Sequence, residues 1–229
     1  MIDCLTKLCP QYTHTECMFS LCLVSHKWAL WRGDMNRAAL LEHLMKNHVK
    51  ENQSSSAYVD LWERYIARLV ASRYFNEAAI SARGLRKFCD KKGLLFRKLE
   101  NELVLVSLDL DLHGCSSETL LDILKLVLKA EEYKQDLTRI RASLCLTKAL
   151  LKMDSPYEAL TQLNDIMPEL LEKGSAEVHG EAHALQGKVL LKLANETKVE
   201  SEILRKSAVT ALQKALSKKL ALQQFGDAK

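Results

Sequence analysis

Several groups of residues carry side chains that could ligate metals, move protons or act as nucleophiles. Cys4 and Cys9 stand upstream of His43 and His48, the ligand types of a structural zinc site. A stretch of 33 residues separates the two halves, far longer than the loop of a zinc finger. His43 and His48 are five apart, which on a helix puts them on different faces. The expectation is thiols and surface histidines, with no metal. His179 and His183 lie at i and i+4, on one helix face. A zinc-protease motif needs Glu directly after the first His, and Gly180 stands there. That pair reads as a solvated helix face. Asp109, Asp111 and His113 alternate. On a strand they would line one side, as acid–base chemistry requires; on a helix they point apart. Seven cysteines, at 4, 9, 17, 22, 89, 115 and 145, are odd in number and irregular in spacing. They read as reduced, buried thiols of an intracellular protein, with no base placed beside any of them. No phosphate-cradling glycine loop or nucleophile elbow is present, so the chain is not expected to be an enzyme or to take a cofactor or a small-molecule substrate.

The elements that hold these residues repeat. A small residue recurs near the start of a helix at Ala38, Ala78, Thr119, Ala159 and Ala208, with gaps of 40, 41, 40 and 49. The surrounding strings are alike: Asn36-Arg37-Ala38-Ala39-Leu40, Asn76-Glu77-Ala78-Ala79-Ile80, Tyr157-Glu158-Ala159-Leu160. A fixed period of this size marks stacked supersecondary units, and such arrays present surfaces for partners. Three prolines and eight glycines in 229 residues leave little turn chemistry for strands. The fold class is therefore all-α, helical hairpins stacked as one α-solenoid over residues 1–229. Its units are expected at about 15–50, 57–92, 95–134, 136–173 and 177–224. Val104 to Leu112 partly alternates, but its helical flanks assign it to a helix, which removes the acid–base reading of Asp109 and Asp111.

Local signals set the boundaries. Gly33-Asp34 ends the first helix and lets Asp34 cap the next. Glu51 to Ser56 is polar and unpatterned, so it reads as a loop. Trp62, Tyr65, Ile66 and Leu69 form one stripe expected to be buried. Pro156 starts a helix, whereas Pro168 is expected to kink or divide it. Gly187 falls where two helices approach closely. About nine extra residues near Asn195 to Ser201 should lengthen the last turn.

Among two-helix repeats, the tetratricopeptide pattern fits best at Trp62 with Tyr65, Leu69 and Ala78, and again around Ser143, Leu146, Thr147, Leu150 and Ala159. The packing positions are then Ala38, Trp62, Ala78, Ala159, Gly187 and Ala208. The period exceeds the usual value of about 34, so the helices are longer than the norm. The string Gln11-Tyr12-Thr13-His14-Thr15-Glu16-Cys17-Met18-Phe19-Ser20, followed by Ala29-Leu30-Trp31-Arg32-Gly33, resembles the C-terminal half of the anaphase-promoting complex subunit 5 family. So does Glu158-Ala159-Leu160 continuing through Leu163, Met167-Pro168, Leu171-Glu172 and Gly174-Ser175. The resemblance covers most of the chain and implies a piece of a longer protein. It implies a non-catalytic scaffold in a multi-subunit ubiquitin ligase of mitosis, working in nucleus and cytoplasm with the other ligase subunits as partners.

The alternative is a peptide-binding tetratricopeptide adaptor or co-chaperone, whose carboxylate clamp needs converging cations. The expected inner-curve row is Lys27, Asp60, Glu63, Asn101, Arg141, Lys148 and Lys152, and its acids interrupt a clamp. Trp31, Arg141, Lys148 and Lys152 remain as candidate partner contacts. The formal charge of +4 is spread along the chain, which does not suit a nucleic-acid binder. Its densest basic stretch is Arg83, Arg86, Lys87, Lys91, Lys92, Arg97 and Lys98, expected to be a solvated helix-end cluster. No run of apolar residues is long enough to cross a membrane.

Overall fold

The computed structural model describes residues 14–52, 54–197 and 201–224. Among them are ten α-helices and no strand. Two compact units divide the chain, Met1–Arg97 and Lys98–Lys229.

The first unit holds α1 (His14–Arg32), α2 (Met35–Asn52), α3 (Ser55–Ala71) and α4 (Phe75–Lys91). Each packs on the next in sequence, and α1 also touches α3. Phe19, Cys22, Met45, Val49 and Ala57 bring three successive helices into one buried cluster. The second unit holds α5 (Leu95–His113, most of which lies here), α6 (Ser117–Glu132), α7 (Asp136–Lys152), α8 (Pro156–Lys173), α9 (Ala176–Glu196) and α10 (Ser201–Gln224). From α6 to α10 each helix packs on its successor, and α7 also touches α9. Leu110 of α5 joins Ile123 of α6 and Cys145, Leu146 and Ala149 of α7. Ile140, Leu144, Leu163, Leu170, Val178 and Leu185 do the same for α7, α8 and α9. Neighbour-on-neighbour packing with a second contact to the next helix but one is how repeats extend a single core.

The turns explain why the hairpins recur. An N–H just past the helix returns to the carbonyl five residues back: Asp34 to Ala29 (2.8 Å), Tyr74 to Leu69 (2.9 Å), Leu94 to Cys89 (2.9 Å), Gln135 to Ala130 (2.8 Å) and Ser155 to Leu150 (3.0 Å). The intervening residue must then be left-handed. Gly33 and Gly93 take that conformation freely, at φ 74° and 67°, whereas Arg73 (63°), Lys134 (53°) and Asp154 (64°) take it with a side chain. Helix starts are capped by the residue before them, at Asp34 as the sequence implies. Asp34 Oδ1 accepts from the Arg37 N–H at 2.9 Å, Ser116 Oγ from Thr119 at 3.0 Å and Ser175 Oγ from Val178 at 3.4 Å.

Four expectations need correction. The polar stretch 51–56 is mostly helical: α2 runs to Asn52 and α3 begins at Ser55, because Ser54 caps α3 through the Ala57 N–H. Tyr65 is exposed, while Ile66 and Leu69 of the same stripe are buried. Pro168 does not divide α8. Its ring frees the carbonyl of Asn164, an exposed residue where solvent can satisfy it. The extra residues of the last unit lengthen helices more than a turn: α9 has 21 residues and α10 has 24, against 17 in α7 and 18 in α8. Val104 to Leu112 is helical, within α5.

Candidate functional site

The repeat positions come first, because they fix every face. Ala38, Ala78, Ala159 and Ala208 are completely buried and Thr119 nearly so, each near the start of the second helix of a hairpin. Small side chains there let helix axes approach. Gly187 in α9 marks a close approach, where an added Cβ would lie 2.6 Å from Leu212 Cγ and 3.3 Å from the Ala208 carbonyl oxygen. Trp62 is half-buried against α4. Its indole N–H donates to Ser81 Oγ at 2.6 Å, and its ring would sit 3.0 Å from a Cβ on Gly84. Tyr58 and Phe88 flank it, with ring centroids 5.4 and 6.2 Å away. The role of Gly84 is not visible in the sequence, where it carries no turn or cap signal.

In the first unit a buried charged network joins three helices. His26 of α1 is fully buried and its Nε2 lies 2.9 Å from Glu42 Oε1 of α2. Arg68 of α3 donates to both oxygens of Glu42, at 2.8 and 3.0 Å. Burial works against the Glu42 charge, but the hydrogen bonds to His26 and Arg68 prevail and hold its carboxyl below the usual range. The same bond, against some burial, raises Arg68. The sequence reading missed this network. Elsewhere in the unit, Arg97 donates to Asp60 at 2.6 Å and to Glu63 at 3.2 Å. Three members of the expected inner-curve row and basic stretch are thereby joined to each other. Trp31 is half-buried with Lys27 Nζ 5.1 Å from its ring centroid, a cation–π pair.

In the second unit the expected contact lysines are paired with neighbouring helices. Lys152 Nζ donates to the Leu110 carbonyl at 2.6 Å and lies 3.4 Å from Asp111. One repeat later Lys192 donates to the Leu151 carbonyl at 3.0 Å and pairs with Asp154. Both lysines therefore sit on the C-terminal carbonyls of the first helix of the preceding hairpin, where a cation is favoured. Lys148 pairs with Glu181 of α9. Arg141 is exposed. So Lys148 and Lys152, both part-exposed, are held in pairs with neighbouring hairpins. Arg139 with Glu169, and Lys173 with Asp136 at 2.8 Å, tie α7 to α8, and Lys173 also meets Glu169 of its own helix at 3.3 Å. The hydrogen bond from Arg139 foremost holds Glu169 below its usual range, and that from Lys173 does so for Asp136.

The candidate chemistry disperses. His179 Nε2–H donates to the Leu170 carbonyl at 2.9 Å and closes the end of α8, so that helix face is not merely solvated. His183 turns instead to Gln186. His43 is exposed, and His48 stacks on Phe19 at 4.7 Å. Cys4 and Cys9 lie outside the described residues. No metal-holding group of His, Cys, Asp or Glu occurs among the described residues. Asp109 bonds to His113 at 2.9 Å and to Thr119 Oγ1 at 2.7 Å, whereas Asp111 faces Lys152, so the two carboxylates diverge. Burial pushes the Cys145 thiol up to about 11 and raises Cys22, Cys89 and Cys115 as well. Those thiols are protonated at neutral pH and are weak nucleophiles.

Most of the basic stretch remains open. Arg83, Arg86, Lys87 and Lys91 are exposed along α4, and Lys92 follows at its end. Spacings of three, four and eight place the four helical cations on one side. No helix among the described residues is long and apolar enough to cross a membrane. Known protein families and curated proteins were compared with the chain, and none matches it.

Proposed function

We propose that the chain is a non-catalytic scaffold segment of a multi-subunit cullin-RING-type ubiquitin ligase, the anaphase-promoting complex. Its tetratricopeptide-type hairpins hold other subunits together for cell-cycle-dependent ubiquitination in nucleus and cytoplasm. The observation that carries this reading is the repeated hairpin: a buried small residue in each second helix and a common left-handed turn. Such a stack spreads its surface instead of closing a pocket. Residues 11–33 and 155–195 add the family resemblance. The raised thiols and the diverging carboxylates support a role without chemistry. The adaptor reading loses support because Lys148 and Lys152, which a carboxylate clamp would need free, already serve Glu181 and the Leu110 carbonyl. The open cations of α4 are the better contact for an acidic subunit surface.

An affinity-tagged chain recovered from mitotic extract, with mass spectrometry of what accompanies it, tests the reading. Ligase subunits are expected, at reduced recovery when Arg83, Arg86 and Lys87 are changed to Glu. Chaperones alone would favour the adaptor, and recovery of neither would overturn the scaffold.

A further inference from the structure

Two outward faces of the second unit match each other. On α6, Leu121, Leu124 and Leu128 are 54, 39 and 65% exposed at i, i+3 and i+7. That spacing makes one apolar stripe along a helix. Ile123, Leu126 and Ala130 already fill the core on the opposite side. The stripe has an acidic rim. Lys125 pairs with Asp122 and Lys129 with Glu102, Glu131 also feels Arg139, and Glu118 and Glu132 are exposed.

On α10, Val209, Leu216 and Leu220 are 51, 56 and 46% exposed, at i, i+7 and i+11. They too share one face, while Ala208 and Ala211 are buried on the other. The rim here is basic. Glu202 pairs with Lys206, and Arg205 and Lys219 are exposed beside the stripe. Single exposed leucines are ordinary, but two stripes of coiled-coil spacing with rims of opposite sign are not.

We propose that α6 of one copy of this chain docks on α10 of a second copy. The contact joins different surfaces, so each copy keeps one unused stripe at either end and growth can continue. This self-association goes beyond the scaffold role and uses neither the α4 cations nor the hairpin staples.

The test is sedimentation velocity on the whole chain, with circular dichroism as the check on folding. The wild-type protein is expected to show concentration-dependent oligomers that weaken as salt rises. Leu124→Glu with Leu128→Glu should block α6, and Leu216→Glu with Leu220→Glu should block α10. Each blocked variant should weaken association at least about tenfold, because each removes buried apolar contact. Mixing the two blocked variants should restore a complex that stops at a dimer, since each supplies the stripe the other lacks. A milder pair, Arg205→Glu and Glu132→Lys, should likewise associate together better than either does alone. A wild-type chain that stays monomeric at all concentrations would overturn the proposal. So would a blocked variant that associates alone as tightly as the wild type, or a mixture that stays monomeric.

Discussion

Lys134 holds φ at 53° in the turn between α6 and α7, where Gly33 and Gly93 serve in the equivalent turns. A side chain in that conformation costs free energy that glycine avoids. Lys134→Gly is therefore expected to stabilise the chain by about 0.5–1 kcal/mol, read as a higher melting temperature. Gly187 is the opposite case. A methyl group there would meet Leu212 at 2.6 Å and the Ala208 backbone at 3.3 Å, so α9 and α10 would have to part. The helix-propensity gain of alanine does not offset that overlap, and Gly187→Ala should destabilise by about 1–3 kcal/mol. An unchanged midpoint in chemical denaturation would show that the two helices can part freely. Gly187 was legible in the sequence because glycine replaces a small residue within a known period. Gly84 was not, because its neighbour Trp62 comes from another helix and only packing brings them together.

The polar ties between helices fall where the sequence showed charges without showing their partners. Glu42 receives His26 and Arg68 in a half-dry site, so Glu42→Gln should cost about 1–3 kcal/mol by weakening the bonds among α1, α2 and α3. The pH dependence has a defined sign. The folded carboxyl titrates below the ordinary value of 4.5. Its contribution is therefore present above that value and is lost as pH falls through the lower folded value. Acid titration of Glu42→Gln should accordingly show a shallower loss of stability below about pH 4.5 than the wild type, measured as denaturation midpoint against pH. Lys152 belongs to the same scale. Lys152→Glu removes the bond to the Leu110 carbonyl and places a negative charge near the end of a helix dipole and beside Asp111. It should lower stability, as a fall in melting temperature, whereas the same change at exposed Lys87 should leave it unaltered.

Within each unit a helix packs chiefly on its sequence neighbours, so damage should stay local. Amide hydrogen exchange on Gly187→Ala is expected to lose protection in α9 and α10 and to keep it in α1, α2 and α3. A uniform loss across all ten helices would mean that the array unfolds as one cooperative block. The Trp62 hairpin and the Ala159 hairpin share a pattern, yet the first is closed by an aromatic cluster and the second by Leu163, Ile166 and Leu170. The same architecture is thus filled by different residues, which explains why one small-residue position repeats clearly while the rest of each unit does not.

The sequence by itself determined the helical class, the period and the five small positions, because these depend on local propensity and on spacing along one chain. It also implied the cap at Asp34, where a side chain reaches the backbone only three residues away. Only the tertiary structure decided which charges meet. His26, Glu42 and Arg68 are 16 and 26 residues apart, and their meeting depends on how three helices are rotated about their axes. It decided as well that Lys152 reaches back to the preceding hairpin and Lys148 forward to the next, while the cations of α4 face solvent. Exposure is a property of the whole stack, and no window along the chain contains it.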